Sequence, residues 1–134
     1  MEKKEPYATQ EEYAKRVVRY EDVPPISPFP GASVRFITGE KLSVIFSTIE
    51  SNVKIPVHQH EAEQIVIVID GAGDQLSGSK LYHLEKGDVF IAASNEPHGT
   101  YVSDKGLKLI EVFCPPRYDY IEKLEAVKKS PGNS

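Results

Sequence analysis

His58-Gln59-His60-Glu61-Ala62-Glu63-Gln64-Ile65-Val66-Ile67-Val68-Ile69-Asp70-Gly71 is the stretch on which the reading of this chain turns. Side chains at i and i+2 of a strand share a face, so His58 and His60 can hold one ion between them. Gln64 has the same parity. A turn over residues 61–63 would fold the chain back, so that Gln64 opens the next strand and Gly71 closes it at a hairpin. A third imidazole, His98, follows the turn Gly87-Asp88, the run 88–92 and the turn-like Ser94-Asn95-Glu96-Pro97. Three imidazoles and one amide oxygen in this order describe a mononuclear metal site inside a small barrel. Taken singly, each histidine reads as a polar residue on a solvated strand face; the joint spacing makes the case. His83 has no motif partner and reads as a surface or barrel-wall residue.

Outward from this stretch, short runs are punctuated by Gly39-Glu40-Lys41, Ser51-Asn52, Gly71-Ala72-Gly73, Ser77-Gly78-Ser79, Gly87-Asp88, Asn95-Glu96-Pro97 and Asp104-Lys105-Gly106. Such spacing predicts an all-β, single-domain antiparallel barrel or jelly roll. In the strand after Gln64, Val66 and Val68 face the metal side. Ile65, Ile67 and Ile69 face outward and need a cover, either a second sheet or a partner subunit, of which a homodimer is favoured. Residues 1–31 read as an arm: Thr9 and Glu12 form a capping box for a short helix over 10–17, residues 17–20 are strand-like, and the prolines of 24–30 break both. The barrel is expected over 32–116. Residues 117–134 follow as an amphipathic helix over 118–129, with Ile121, Leu124 and Val127 on one stripe, and a frayed tail over 130–134.

With 134 residues, 40% hydrophobic and 27% charged, the composition is that of a soluble one-domain protein. A net charge of −4 argues against a nucleic-acid partner or an acidic membrane surface. No secretory signal is read at the amino terminus, and the longest apolar stretch, 65–69, is too short to span a bilayer. The single cysteine excludes an internal disulfide and suits a reducing compartment, so the cytoplasm is expected.

Imidazole ligands suit zinc, nickel, iron, manganese or copper alike, so one divalent transition ion of undetermined identity is expected per subunit. With the neutral Gln64 as fourth ligand the full dipositive charge stays unneutralised, which favours Lewis-acid chemistry on an anionic or enolate oxygen. Glu63 competes for the fourth position if a bulge turns it inward, and Gln64 could instead hold the substrate. On the last strand, Leu109, Glu111 and Phe113 share a face. Glu111 is a candidate acid or base, or else a rim carboxylate bonded to a basic neighbour. Arg117 is a candidate clamp for a substrate carboxylate, or else the partner of Asp119 or Glu111 in a salt bridge. Cys114 has the opposite parity and reads as a packed small hydrophobe rather than a nucleophile.

The two blocks resemble the two cupin motifs, with Gln64 where the usual ligand is Glu and Ala93-Ser94-Asn95 where a Pro-x-Gly turn is common. The resemblance runs from about Val34 to Tyr120. Glu111, Phe113 and Arg117 extend it to a narrower group, the pectin-degradation cupins that linearise 4,5-unsaturated uronates, in which an Asp usually stands at the position of Glu111. The resemblance implies that His58, His60, Gln64 and His98 hold the ion and that Glu111 moves a proton. It also implies that Arg117 holds the carboxylate of a small sugar acid and that Phe113 shapes the pocket. A non-catalytic metal- or sugar-binding module and a cupin dioxygenase are the alternatives; the module is distinguished by returning its ligand unchanged, the dioxygenase by oxygen uptake.

Overall fold

Alternation of apolar and polar residues produces the strands, and the computed structural model describes residues 2–129. In chain order the strands are β1 Ala32–Thr38, β2 Ser43–Ile49, β3 Lys54–His58, β4 Glu63–Ser77, β5 Lys80–Glu85, β6 Val89–Ala92 and β7 His98–Cys114. The order is β1-β2-β7-β4-β5, with β3 added to β7 and β6 to β4, and the pairs are antiparallel. The fold is therefore all-β, as expected.

β4 and β7 form one long ribbon that serves both halves of the barrel. The first part of β4 pairs with the last part of β7, from Gln64↔Phe113 to Gly71↔Leu107, and the rest pairs from Gly73↔Val102 to Ser77↔His98. Two expected turns are absent. Gly71 does not end a hairpin, and Asp104-Lys105-Gly106 does not interrupt β7; both strands pass through with register shifts. The reason is local: Gly71 (φ +84°) and Gly106 (φ +73°) adopt left-handed backbone, and a Cβ on Gly71 would lie 2.0 Å from the Gly106 carbonyl oxygen. Glycine here permits a bulge and a close backbone crossing rather than a reversal. The reversal comes at Ser77-Gly78-Ser79, leading into β5.

Ile26, Val34, Phe36, Ile45, Phe113 and Tyr120 form one core cluster, against which Ile121, Leu124 and Val127 pack from the carboxy-terminal helix α2, Tyr118–Lys128. Val66, Val68, Val102, Leu107 and Leu109 anchor the other. The amino-terminal helix α1 spans Gln10–Arg16 with Thr9 and Glu12 in a reciprocal capping box, and none of its residues is buried. The run 17–20 forms no strand; a 3-10 turn occupies Tyr20–Asp22 instead. β-branched residues alone do not make a strand without a neighbour to pair with. Farther along, Ile26 pairs with Val34 and is buried. Residues 130–134, read above as a tail, lie outside the described residues. No helix among the described residues is long and apolar enough to cross a membrane.

Candidate metal centre

Four side chains converge at one end of the barrel from three places in the chain. His58 ends β3, opposite His98 at the start of β7. His60 lies beyond the end of β3, so the shared-face argument for His58 and His60 does not hold as a strand argument. The two rings nevertheless approach to 5.7 Å, His58 and His98 to 4.4 Å, and His60 and His98 to 5.0 Å. One nitrogen from each of the three lies within 4.8 Å of the others. Gln64 is buried at 4% exposure, whereas Glu63 faces outward and is exposed, since no bulge inverts the start of β4.

Hydrogen bonds fix how the imidazoles are protonated. Nδ1 of His58, His60 and His98 lies 2.8, 2.7 and 2.7 Å from the carbonyl oxygens of Pro56, Ala62 and Glu96. A carbonyl only accepts, so each Nδ1 carries a proton, and in the neutral ring Nε2 is the nitrogen that keeps a lone pair. His98 Nε2 is buried without a hydrogen-bond partner. Gln64 donates its Nε2 to Glu111 Oε1 at 2.7 Å, which turns its Oε1 towards His60 Nε2 at 3.0 Å. Two lone pairs so placed repel unless a cation lies against both. A proton on His60 is disfavoured, because burial and the Arg117 charge lower its pKa below the ordinary value, over the opposing bonds from Ala62 and Gln64. Burial lowers His98 likewise, with His58 and His60 adding to it against the Glu96 carbonyl. A metal ion satisfies this donor set, and the residues fit one.

Glu111 is linked to the histidine cluster through Gln64. Ser47 Oγ donates to its Oε2 at 2.7 Å while Gln64 holds Oε1. Burial pushes the Glu111 carboxyl above its ordinary value, opposed by the Ser47 bond, the Arg117 charge and the Gln64 bond. Phe113 is 2% exposed, with its ring 5.7 Å from that of His60. Arg117 stands before α2, and its guanidinium is bonded to Asp119, so the salt-bridge expectation is realised with Asp119 rather than Glu111.

His58, Gln64, Ser47, Glu111, Phe113 and Arg117 line a cavity of about 340 Å³, whose remaining wall includes Phe29, Ala32, Val34, Ile45, Ile49 and Ile55. Ser47, Tyr120 and Lys123, which sequence reasoning did not single out, line it too. Ser47 carried a signal, as a polar residue on the inward stripe between Ile45 and Ile49. Burial raises the Tyr120 hydroxyl to about 12, so it stays neutral. Two expectations resolve outside the cavity. Cys114 is exposed rather than packed, because at the strand end beside Glu63 nothing among the described residues covers that face. His83 is exposed on β5 and bonded to Asp74 at 2.8 Å.

A curled antiparallel barrel holding three imidazoles and an amide at one end defines a cupin whose donor set could hold a metal ion. The chain matches the Cupin domain family over residues 45–113 and belongs to it. It is 30% identical over 127 residues to the H2HPP isomerase of Bacillus subtilis, across 91% of this chain and 51% of that protein. It is 32% identical over 65 residues to the pectin degradation protein KdgF of Dickeya dadantii (strain 3937), across 48% of this chain and 59% of that one. The matches thus span little more than half of either relative. The structure of KdgF from Halomonas sp. superposes with a TM-score of 0.69 at 24% identity, covering 75% of this chain and 93% of that one. This small cupin resembles KdgF.

Proposed function

We propose that this cupin is a metal-dependent enzyme that moves a proton within an unsaturated carboxylic acid, and that its reaction is the ring opening of a 4,5-unsaturated uronate to a linear ketone. The observation that carries the reading is the Gln64–Glu111 hydrogen bond at the cavity wall. It joins a protonatable carboxyl to a ligand of the metal centre.

A divalent ion held by His58, His60, Gln64 and His98 would supply Lewis acidity towards an enolate or hydroxyl oxygen. Glu111 provides the mobile proton. The overall change is an isomerisation: the anomeric hydroxyl gives up a proton as the ring C–O bond breaks, and the enol carbon gains one as the ketone forms. A carboxyl whose pKa is raised by burial is available in both protonation states nearer neutrality, which suits it to both transfers. Arg117 binds the substrate carboxylate and Phe113 packs against the ring. The similarity to a pectin degradation protein supports this substrate.

A second reading, isomerisation of an unsaturated carbocyclic acid, is favoured by the wall of Ala32, Val34, Ile45 and Ile49, whose side chains offer sugar hydroxyls no partner. The longer match is to an isomerase, in agreement with the reaction type. Ultraviolet absorbance of unsaturated galacturonate separates the two. Metal-dependent acceleration of its decay is expected; no acceleration with zinc, nickel, iron or manganese would remove the uronate.

The outward isoleucine row extends over several strands, and we propose that a second copy of the chain covers it. Ile65 and Ile69 are exposed, and on β6 Ile91 lies opposite Ile65 and Val89 opposite Ile67, at 65% and 57% exposure.

A further inference from the structure

Arg117 is held by three side chains. Its Nε and Nη2 donate to Asp119 Oδ1 and Oδ2 at 3.0 and 2.8 Å. Its guanidinium carbon lies 4.8 Å from the centre of the Phe113 ring and 4.7 Å from that of Tyr120. The Arg117 side chain is 14% exposed and that of Asp119 49%, and Arg117 lines the cavity whereas Asp119 does not. Asp119 therefore grips the guanidinium from outside. A guanidinium is a planar fork with more than one edge for a carboxylate. With the rings fixing its plane and Asp119 occupying the Nε edge, the edge that includes Nη1 is left for a ligand.

This grip has an electrostatic cost, because the Arg117–Asp119 pair carries no net charge. Lys123 makes up the difference. It lies four residues after Asp119 on α2, lines the same cavity, and has its Nζ 4.8 Å from the Tyr120 ring centre. Against the burial that would raise it, the bonds and charge of Arg117 and the charge of Lys123 keep the Asp119 carboxyl below its ordinary value.

We infer that Asp119 is a positioning residue that presents Arg117 to the carboxylate of the substrate, and that Lys123 supplies the net positive charge at that subsite. The inference rests on the reading of the cavity as a site for a small carboxylic acid. It differs from a model in which Asp119 competes with the substrate for Arg117, since the two give opposite signs when Asp119 is neutralised.

The test is a calorimetric titration of the full chain, supplied with zinc, with galacturonate, a saturated acid that cannot undergo the reaction. Asp119→Asn is expected to weaken binding at least about fivefold, with Asp119→Glu recovering most of the loss. Lys123→Gln is expected to weaken binding and flatten its dependence on salt. In turnover, Asp119→Asn should act on KM more than on kcat. Tighter binding by Asp119→Asn would overturn the inference, as would a lowered Tm with unchanged affinity, or no binding of galacturonate by the unaltered chain. A failure to decay unsaturated galacturonate is a separate result that sinks the ring-opening reading alone, because the titration requires no turnover.

Discussion

Gln64 and Glu111, on the neighbouring strands β4 and β7, are joined by one hydrogen bond of 2.7 Å from Nε2 to Oε1. The amide thus has two duties, with its nitrogen on the carboxyl and its oxygen towards His60. Glu111→Gln keeps the volume and removes the titrating group, so kcat should fall about 100-fold or more while metal content is retained. Full activity in that variant, assayed with bound metal confirmed by elemental analysis, would remove Glu111 from proton transfer. Gln64→Glu places a second carboxyl against the first, and two such groups cannot both ionise at that distance. Its pH–rate profile should shift to higher pH.

Acidification should strip the metal and loosen the fold together. Burial lowers His60 and His98 below their ordinary value of 6.5. Below that pH the unfolded chain takes up more protons than the folded one, so stability present above about 6.5 is lost as pH falls through the window beneath it. Protons also compete for the Nε2 lone pairs. Scanning calorimetry with metal analysis should show Tm and metal content declining in parallel from pH 7.5 to 5.5, with chelator at pH 7.5 lowering Tm as well. A Tm that is flat over that range, with and without chelator, would contradict both the shifts and the site.

The uncovered sheet face gives an expectation for assembly. On it, Ile65 lies between Ile91 on β6 and Val112 on β7, and Ile67 between Val89 and Ile110. Light scattering should report a dimer for the unaltered chain and a monomer for Ile65→Glu, with circular dichroism unchanged between them. A monomeric unaltered chain at micromolar concentration would refute the pairing.

Gly71→Ala should be among the most damaging single-methyl additions. The new Cβ meets backbone atoms of Gly106 at 2.0 and 2.8 Å, and φ of +84° strains any side chain. A loss of about 3 kcal/mol or more is expected from urea unfolding. Gly78→Ala, where φ is positive but no atom lies within 4 Å, should lose less. Equal losses would mean that backbone strain, not the crossing, sets the cost.

The residues of the candidate centre could be picked out from the sequence because metal chemistry needs particular side chains, and His58, His60, Gln64 and His98 are few enough to be conspicuous. What could not be read was how the backbone brings them together. Gly71 serves a turn or a bulge equally well, and its partner in the crossing, Gly106, is 35 residues away. The parity of Glu111 and Phe113 was legible by alternation; the exposure of Cys114 was not, because alternation tells which face a residue takes and not whether that face is covered. Arg117 and Asp119 were seen as a local ion pair. That the pair also borders the cavity depends on Phe113 and Tyr120, whose rings meet the guanidinium only in the folded barrel.

The curl of the β4–β7 ribbon has a consequence for chain entropy. His98 begins β7 and pairs with the far end of β4, whereas Gln64 lies near the start of β4, so the curl brings opposite ends of the ribbon to one point. An ion bound there ties His58 to His98 across about 40 residues, as a reversible cross-link would. By the loop-closure relation for a covalent link, a tie of that span restricts the unfolded chain by about 4 kcal/mol. Loss of the ion would then be felt across the whole enclosed loop, including the bends at Gly71 and Gly106, and hydrogen exchange over β4 to β6 would register whether the centre is bound.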